Sequence, residues 1–445
     1  MEKILKAYNE LILKVVPTNR WVCIRFVLHW LTLPLKLFLI GGLGIFQIIS
    51  KKFKRPRELV NKELPTDGLK VKYFNEVLDE LPILKTLEIE CYVNRVPYFS
   101  YPNGYNHNSD HQCSRHSTYY FLMKKLGLDN DKMKNSLTLF MQNKWLARGF
   151  SWNPYEGGID YNVKSTSGDM LCGLNLAIMS RERPSEKFDQ LVSNIIENDY
   201  ALLEGASPEK DDYGYDLYNK LLKESGYRME SIKMKSARGM WQPGLETVGA
   251  QALTILSTLR LAEVKNGNRE AGKEYRKLLF KYGYGLLSIF PTAYVDNKRG
   301  YFNDHNCLIA LYVLSKCSKT KLGKLFWKIP MLYVWMLSKH WYNGYFTGLV
   351  KECYPESVKD SYVDECIKYL YEQKPRTFVY AQRTEVKSKD EPVTYNLNVH
   401  DEFSPDVRYD MMISNMNEDG DKYKTGLGFI ASAVMLEKDP KVLLK

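Results

Sequence analysis

The strongest constraint on the fold is a long succession of segments in which apolar residues recur with helical spacing. Beyond residue 60, few runs alternate between apolar and polar residues as β-strands do. The pattern predicts helices over 71–90, 115–126, 131–147, 168–181, 185–203, 215–225, 246–265, 269–288, 304–317, 325–340, 358–373 and 425–437. The chain is therefore predicted to be all-α. Because 44% of its 445 residues are hydrophobic, it can bury a substantial core.

Residues 21–50 form the most apolar part of the chain, and a basic run at 51–57 follows them. The longest uncharged stretch covers only 37–50, whereas a spanning helix needs roughly 20 residues. Pro34 and the pair Gly41-Gly42 would also interrupt a continuous helix. We therefore expect a monotopic anchor or a re-entrant hairpin. A single tilted span and a pair of core helices in a soluble protein stay open as alternatives.

The positive charge of the chain is concentrated near its beginning. Lys and Arg number 63 against 52 Asp and Glu, a net charge of +11, and residues 1–60 hold +8 of it (11 basic minus 3 acidic). A nucleic-acid-binding protein is expected to spread basic residues over its folded domain, so no nucleic-acid partner is predicted. An anionic membrane surface is the expected partner of residues 21–57. The basic run would then keep the bulk of a membrane-associated chain on the cytoplasmic side.

The predicted organisation is a membrane-association segment at 1–60 followed by one helical domain at 61–445. Eight cysteines are spread along the chain without a CxxC pair or a zinc-type Cys/His cluster, which favours free thiols and a reducing compartment. Cys172 and Cys307 lie inside apolar runs, where a thiol packs as a small hydrophobe. Phosphate-loop, dinucleotide-binding and nucleophile-elbow motifs are missing from the sequence, so no cofactor is predicted.

Four apolar helical segments are similar to one another: GDMLCGLNLAIMS (168–180), VGAQALTILSTLRLA (248–262), NDHNCLIALYVLSK (303–316) and GLGFIASAVMLEK (426–438). Each follows a polar loop and has small or polar residues near its start. Their irregular spacing excludes a short-period solenoid. We expect helical hairpins arranged as an (α/α) toroid. An irregular helical bundle stays open, because all buried helices are apolar and therefore look alike.

These loops and helix starts resemble those of the (α/α) toroid carbohydrate-active enzymes, the six-hairpin glycosidases and related polysaccharide lyases. The resemblance covers about residues 95–440 and lies in long aromatic loops that lead into helices opening with acidic residues, as in SGDMLCG, PGLETVGAQ and FNDHN. No family signature is matched residue for residue. The resemblance implies a sugar-binding cleft at one mouth of the ring, with carboxylates at helix N-termini as acid and base. The apolar N-terminal segment departs from this pattern.

The predicted catalytic residues are Asp169, Glu246, Asp304 and His305. Two of these carboxylates could flank a glycosidic bond, one protonated as the acid and one ionised. Helix capping is the alternative interpretation of Asp169 and Glu246, because an acidic residue suits the first turn of a helix. The tetrad 303–306 enters an apolar helix as a dense polar group, which is harder to explain as a solvated cap.

Aromatic and polar loop residues are predicted to bind the substrate. Flat aromatic faces with a polar edge suit sugar rings. AT-rich coding is an alternative explanation for the 32 tyrosines of the chain. The candidates are Asp110, His111, Trp152, Tyr155, Arg238, Trp241 and Tyr301. In a lyase or a metal-dependent enzyme, Asp110, His111 and His305 would instead serve as base or ligands. No metal site is predicted, because no zinc motif such as HExxH is present.

The sequence thus predicts a membrane-associated enzyme that cleaves a glycosidic bond in a glycan or glycolipid by paired-carboxylate catalysis. The expected partners are a carbohydrate or glycolipid substrate and an anionic membrane surface. One alternative is a non-enzymatic, membrane-tethered scaffold. The others are a polysaccharide lyase and an enzyme that acts on an isoprenoid or other lipid. The sequence lacks the aspartate-rich runs that would bind a diphosphate through magnesium.

Overall fold

The structure is a computed structural model that describes a large part of the chain. The described residues are 41–50, 62–80, 112–128, 149–153, 158–162, 168–197, 250–281, 284–289, 300–339, 342–372, 380–382, 421–423 and 427–445, with isolated positions elsewhere. The predicted helix at 215–225 lies outside them.

The described residues form a succession of helices with two short strand pairs. The helices are α1 Asp67–Glu80, α2 Gln112–Leu126, α3 Gly168–Ser180, α4 Glu186–Glu197, α5 Ala250–Asn266, α6 Arg269–Arg276, α7 Tyr284–Leu287, α8 Gly300–Lys316, α9 Lys321–Ser338, α10 Gly344–Cys353, α11 Asp360–Glu372 and α12 Leu427–Leu436. A π-helical turn, Lys277–Lys281, continues α6, and 3-10 turns cover Pro355–Ser357 and Pro440–Leu444. Residues 41–50 are also helical.

The predicted all-α class is confirmed for the described residues, whose buried core lies mainly on helices. The sequence did not predict the strands. β1 (Gly149–Asn153) pairs antiparallel with β2 (Gly158–Asn162), and β3 (Tyr380–Gln382) pairs antiparallel with β4 (Asp421–Tyr423). No helix among the described residues is both long enough and apolar enough to cross a membrane.

The periodicity misses α10 entirely. Its sequence, GYFTGLVKEC, contains two glycines, aromatic residues and β-branched residues, all of which have modest or poor helix propensity. The helix forms because Gly344–Val350 are all buried, and because the Asn343 side chain accepts a hydrogen bond from the Phe346 backbone N–H at 2.9 Å. Tertiary packing and an N-cap therefore outweigh propensity here.

The described residues belong to two compact units. Unit 1 combines Met1–Phe53 with Arg183–Val334, and unit 2 combines Lys54–Glu182 with Trp335–Lys445. In unit 1, α5 packs along α8, while α4 and α6 pack against α5. In unit 2, α2 packs along α3, α10 packs along α12, and α12 also contacts α2 and α11.

Two kinds of helix recur along the chain. The helices α2, α3, α5, α8, α10 and α12 are buried around most of their circumference; in α8, for example, every residue from Cys307 to Leu314 is buried. The helices α1, α4, α6, α9 and α11 bury mainly one face; in α4 this face is Phe188, Leu191, Val192 and Ile195. From α3 onward, apart from the four-residue α7, the two kinds alternate.

Glycines allow the closest helix packing in unit 2. A Cβ atom at Gly348 of α10 would lie 2.5 Å from the backbone oxygen of Met435 in α12. A Cβ atom at Gly173 of α3 would lie 2.8 Å from the Cα of Ser114 in α2. Because both neighbours include backbone atoms, a larger residue would force the helices apart.

Gly348→Ala and Gly173→Ala are each expected to destabilise the chain by about 1–3 kcal/mol, the usual cost of overpacking a tight core. Gly68→Ala in α1 is the matched control, because nothing lies within 4 Å of the added Cβ. Alanine is favoured over glycine inside a helix by about 1 kcal/mol, so this control is expected to be neutral or slightly stabilising. Urea unfolding followed by circular dichroism measures the effect. An unchanged midpoint for Gly348→Ala would contradict the close packing of α10 and α12.

Candidate functional site

The most distinctive polar group of unit 1 lies in the second turn of α8. Asp304, His305 and Asn306 are 7%, 1% and 9% exposed, respectively. Among the described residues, Asp304 is the only carboxylate that is buried. The periodicity placed the start of this helix at residue 304, but α8 begins at Gly300. Asp304 therefore lies inside the helix, where its side chain is not a solvated N-cap.

The neighbouring helix α5 carries buried hydroxyl groups that serve its own backbone. Ser257 Oγ donates a hydrogen bond to the carbonyl oxygen of Thr254 at 2.8 Å, and Thr258 Oγ1 donates to the same oxygen at 2.7 Å. Such local bonds satisfy hydroxyl groups within a buried helix without a ligand. Within the packed pair α5 and α8, the buried carboxylate and the buried imidazole of the described residues are those of Asp304 and His305.

In unit 2, the first half of α2 is polar and buried, and it includes His116. The imidazole lies 5.6 Å from the ring of Phe140, measured between ring centroids. Burial lowers the pKa of His116 from 6.5 to about 3, so the ring is neutral at physiological pH. In the sequence, His116 closely follows His107 and His111. The structure shows it as a core residue of α2.

A second buried polar cluster in unit 2 was not found from the sequence. Thr347 Oγ1 accepts hydrogen bonds from Trp335 Nε1 at 3.2 Å and from Cys366 Sγ at 3.6 Å. Burial raises the pKa of Cys366 to about 12, so its sulfur stays a protonated thiol. Lys339 Nζ lies 5.2 Å from the centroid of the Trp335 ring. The cluster holds α9, α10 and α11 together and supplies no nucleophile.

Asn175 is another buried polar residue that the sequence analysis passed over. It lies in the middle of α3 and is fully buried. A single amide within the apolar run GDMLCGLNLAIMS is the signal that could have identified it, because buried polar groups are costly unless they are hydrogen-bonded.

The structure describes only part of the predicted site. Asp304 and His305 are adjacent and buried in unit 1. Asp169 is the second residue of α3 in unit 2, Tyr301 lies in the first turn of α8, and Trp152 lies in β1. The structure does not describe the side chains of these three residues. The predicted residues that lie outside the described residues are Asp110, His111, Tyr155, Arg238, Trp241 and Glu246.

Both interpretations of Asp169, helix capping and catalysis, place it in a first helical turn and stay open. No group of three His, Cys, Asp or Glu side chains within the described ranges could hold a metal ion.

His116 is expected to make stability depend on pH. Its folded-state pKa lies below that of the unfolded chain, so only the unfolded chain binds a proton between about pH 6.5 and pH 3. The stability due to neutral His116 is therefore complete above pH 6.5 and falls as the pH is lowered. The expected loss between pH 7 and pH 5 is about 2 kcal/mol. His116→Gln should show a shallower decline in urea unfolding over this range. Equal declines in both proteins would contradict a buried, neutral imidazole.

The described cysteines are free thiols, and all except Cys353 are buried. The expectation that Cys172 and Cys307 pack as hydrophobes is confirmed. In a Cys23→Ser/Cys91→Ser variant, a disulfide-exchange reagent should react with Cys353 at pH 8. The other thiols should react only after denaturation, because burial raises the pKa of Cys317 to about 11, for example. Rapid reaction of more than one thiol in the native protein would contradict this placement.

Comparison with known proteins assigns no family or function to the chain. No protein-family model, no curated protein and no solved structure matches the chain. The resemblance to toroid carbohydrate-active enzymes therefore stays a prediction.

Proposed function

We propose that this chain is a membrane-associated, carbohydrate-active enzyme that cleaves a glycosidic bond in a glycan or glycolipid by paired-carboxylate catalysis. The observation that carries the proposal is the burial of Asp304 in the second turn of α8, beside His305 and Asn306. The all-α fold of the described residues supports it less directly.

Asp304 fits the role of the general acid. A general acid must carry its proton at the start of the reaction, and a carboxyl group largely removed from water generally favours the protonated form. The residues of α8 that follow, Cys307 to Leu314, are all buried and hydrophobic. Asp304 is the described carboxylate that these requirements fit best.

Glu246 is the proposed partner that stays ionised. In the sequence it lies shortly before α5, the helix that packs along α8. Two carboxyl groups in different surroundings can hold different protonation states at one pH. His305 is proposed to position substrate or, in a lyase reaction, to act as base.

We further propose the (α/α) toroid as the arrangement of the helices. The alternation of fully buried helices with helices that bury one face supports it, since a ring of hairpins has inner and outer helices. A closed ring also requires contact between its first and last inner helices. The contact between α2 and α12 is of this kind.

Turnover of labelled glycans and glycolipids tests the proposal, with the full chain reconstituted on vesicles. Asp304→Asn preserves the shape of the side chain and should lower turnover by about 100-fold or more, the usual contribution of a general acid. Glu246→Gln should lose activity to a similar extent. Glu270→Gln, at an exposed position in the first turn of α6, is the matched control and should keep full activity.

The products distinguish the alternative chemistries. Hydrolysis releases a saturated reducing end, whereas a lyase leaves an unsaturated sugar that absorbs ultraviolet light and should depend most strongly on His305. Full turnover by Asp304→Asn would contradict the proposed acid. Absence of turnover by the unmodified chain, together with capture of a protein partner, would support the scaffold alternative instead.

A further inference from the structure

The outward face of α9 carries an uncovered apolar stripe. Leu322, Leu325 and Ile329 are 76%, 56% and 50% exposed, respectively. Spacings of three and four residues place them on one side of the helix. The opposite side packs into the protein through Trp327 and Met331, which are buried. The stripe is therefore the solvent-exposed face of a helix whose other face is packed in the core.

A row of lysines runs beside this stripe. Lys321, Lys324 and Lys328 each precede an exposed apolar residue by one position, which places them about 100° around the helix from the stripe. The helix contains no Asp or Glu. Long lysine side chains can lay their methylene groups along an apolar surface and extend the charge away from it.

The helical stretch 41–50 borders the same stripe and adds to it. Tyr333, four residues after Ile329, donates a hydrogen bond from its hydroxyl to Gln47 Oε1 at 2.6 Å. Ile45, Phe46 and Ile49 of that stretch are 55%, 64% and 49% exposed. Residues 41–50 and residues 321–334 of α9 belong to unit 1, and residues 31–50 contain no acidic residue.

We propose that α9 is a second membrane-contact element, whose stripe Leu322, Leu325 and Ile329 enters the headgroup region of an anionic bilayer. Lys321, Lys324 and Lys328 then contact the lipid phosphates. An interfacial helix combines these two features, an apolar face and a basic polar face. The inference extends the membrane association proposed for residues 21–57 and is independent of the glycosidic reaction.

The charge pattern favours a bilayer over a second copy of the chain. In a two-fold symmetric dimer the same patch contacts itself, so the three lysines of each copy would approach those of the other. Like charges in contact oppose association, and lysine is depleted from protein interfaces. An anionic bilayer instead gains from each lysine.

A fluorescent probe on α9 tests the inference separately from the N-terminal segment. An environment-sensitive NBD label is attached at Leu325→Cys in a Cys23→Ser/Cys91→Ser/Cys353→Ser background of the full chain. On phosphatidylcholine vesicles containing phosphatidylglycerol, its emission should shift to the blue, and nitroxide-labelled lipids should quench it. The same label at Leu69→Cys in α1 is the control and should do neither.

Binding to the same vesicles measures the role of charge. Lys321→Gln/Lys324→Gln/Lys328→Gln should weaken binding by about tenfold or more, since each lysine near an anionic surface contributes about a fivefold change. The matched variant Lys62→Gln/Lys359→Gln/Lys438→Gln removes the same charge from exposed positions in unit 2 and should bind nearly as the unmodified chain does.

Two results would overturn the inference. In the first, vesicles bind the chain but the label at position 325 stays in water, which would leave residues 21–57 as the membrane contact. In the second, the label is shielded from water even without vesicles. Light scattering then shows a dimer, and Leu325→Ser dissociates it. That result would assign the face to a second copy of the chain.

Discussion

The packing of helices that are buried on nearly every side is the constraint on which the rest of this structure depends. Such a helix cannot direct polar groups toward water, so each buried polar side chain must be hydrogen-bonded within the protein or serve a ligand. In α5 the hydroxyl groups of Ser257 and Thr258 bond to their own helix. In α10 the Thr347 hydroxyl joins a tryptophan and a cysteine. The polar group in α8 differs because it contains a carboxyl and an imidazole.

Asp304 and His116 show why similar sequence signals have different consequences. Both residues lie near the beginning of a buried helix, within polar segments that contain histidine. His116 can be buried as a neutral ring, because an imidazole loses its proton readily and packs beside Phe140. Neutralising a carboxyl group at pH 7 costs more free energy than neutralising an imidazole, since the ordinary pKa of a carboxyl group is about 4. Its burial in α8 therefore supports a chemical role more strongly than the burial of a histidine does.

Much of the helical class could be predicted from the sequence, because the amphipathic spacing of α4 and α11 and the uninterrupted apolar run of α8 leave few alternatives. The helix α10 could not, because its glycines are explained only by the approach of α12, which is distant in the sequence. Of the candidate site, the polar group at 304–306 was recognisable from its density. Whether Asp304 was a cap or an internal residue depended on where α8 begins, and periodicity defines helix ends poorly. The convergence of Glu246 and Asp304 stays a prediction.

The contact between α2 and α12 has a consequence for biosynthesis. Residues 112–126 are synthesised long before residues 427–436, which are distant from them in the sequence. Until then, the face of α2 that will receive α12 has no native covering, and distant contacts of this kind form slowly. Until α12 has been made, the nascent chain must therefore keep the apolar face of α2 from aggregating, a task that chaperones commonly perform. Truncation shortly before α12 would leave that exposure permanent.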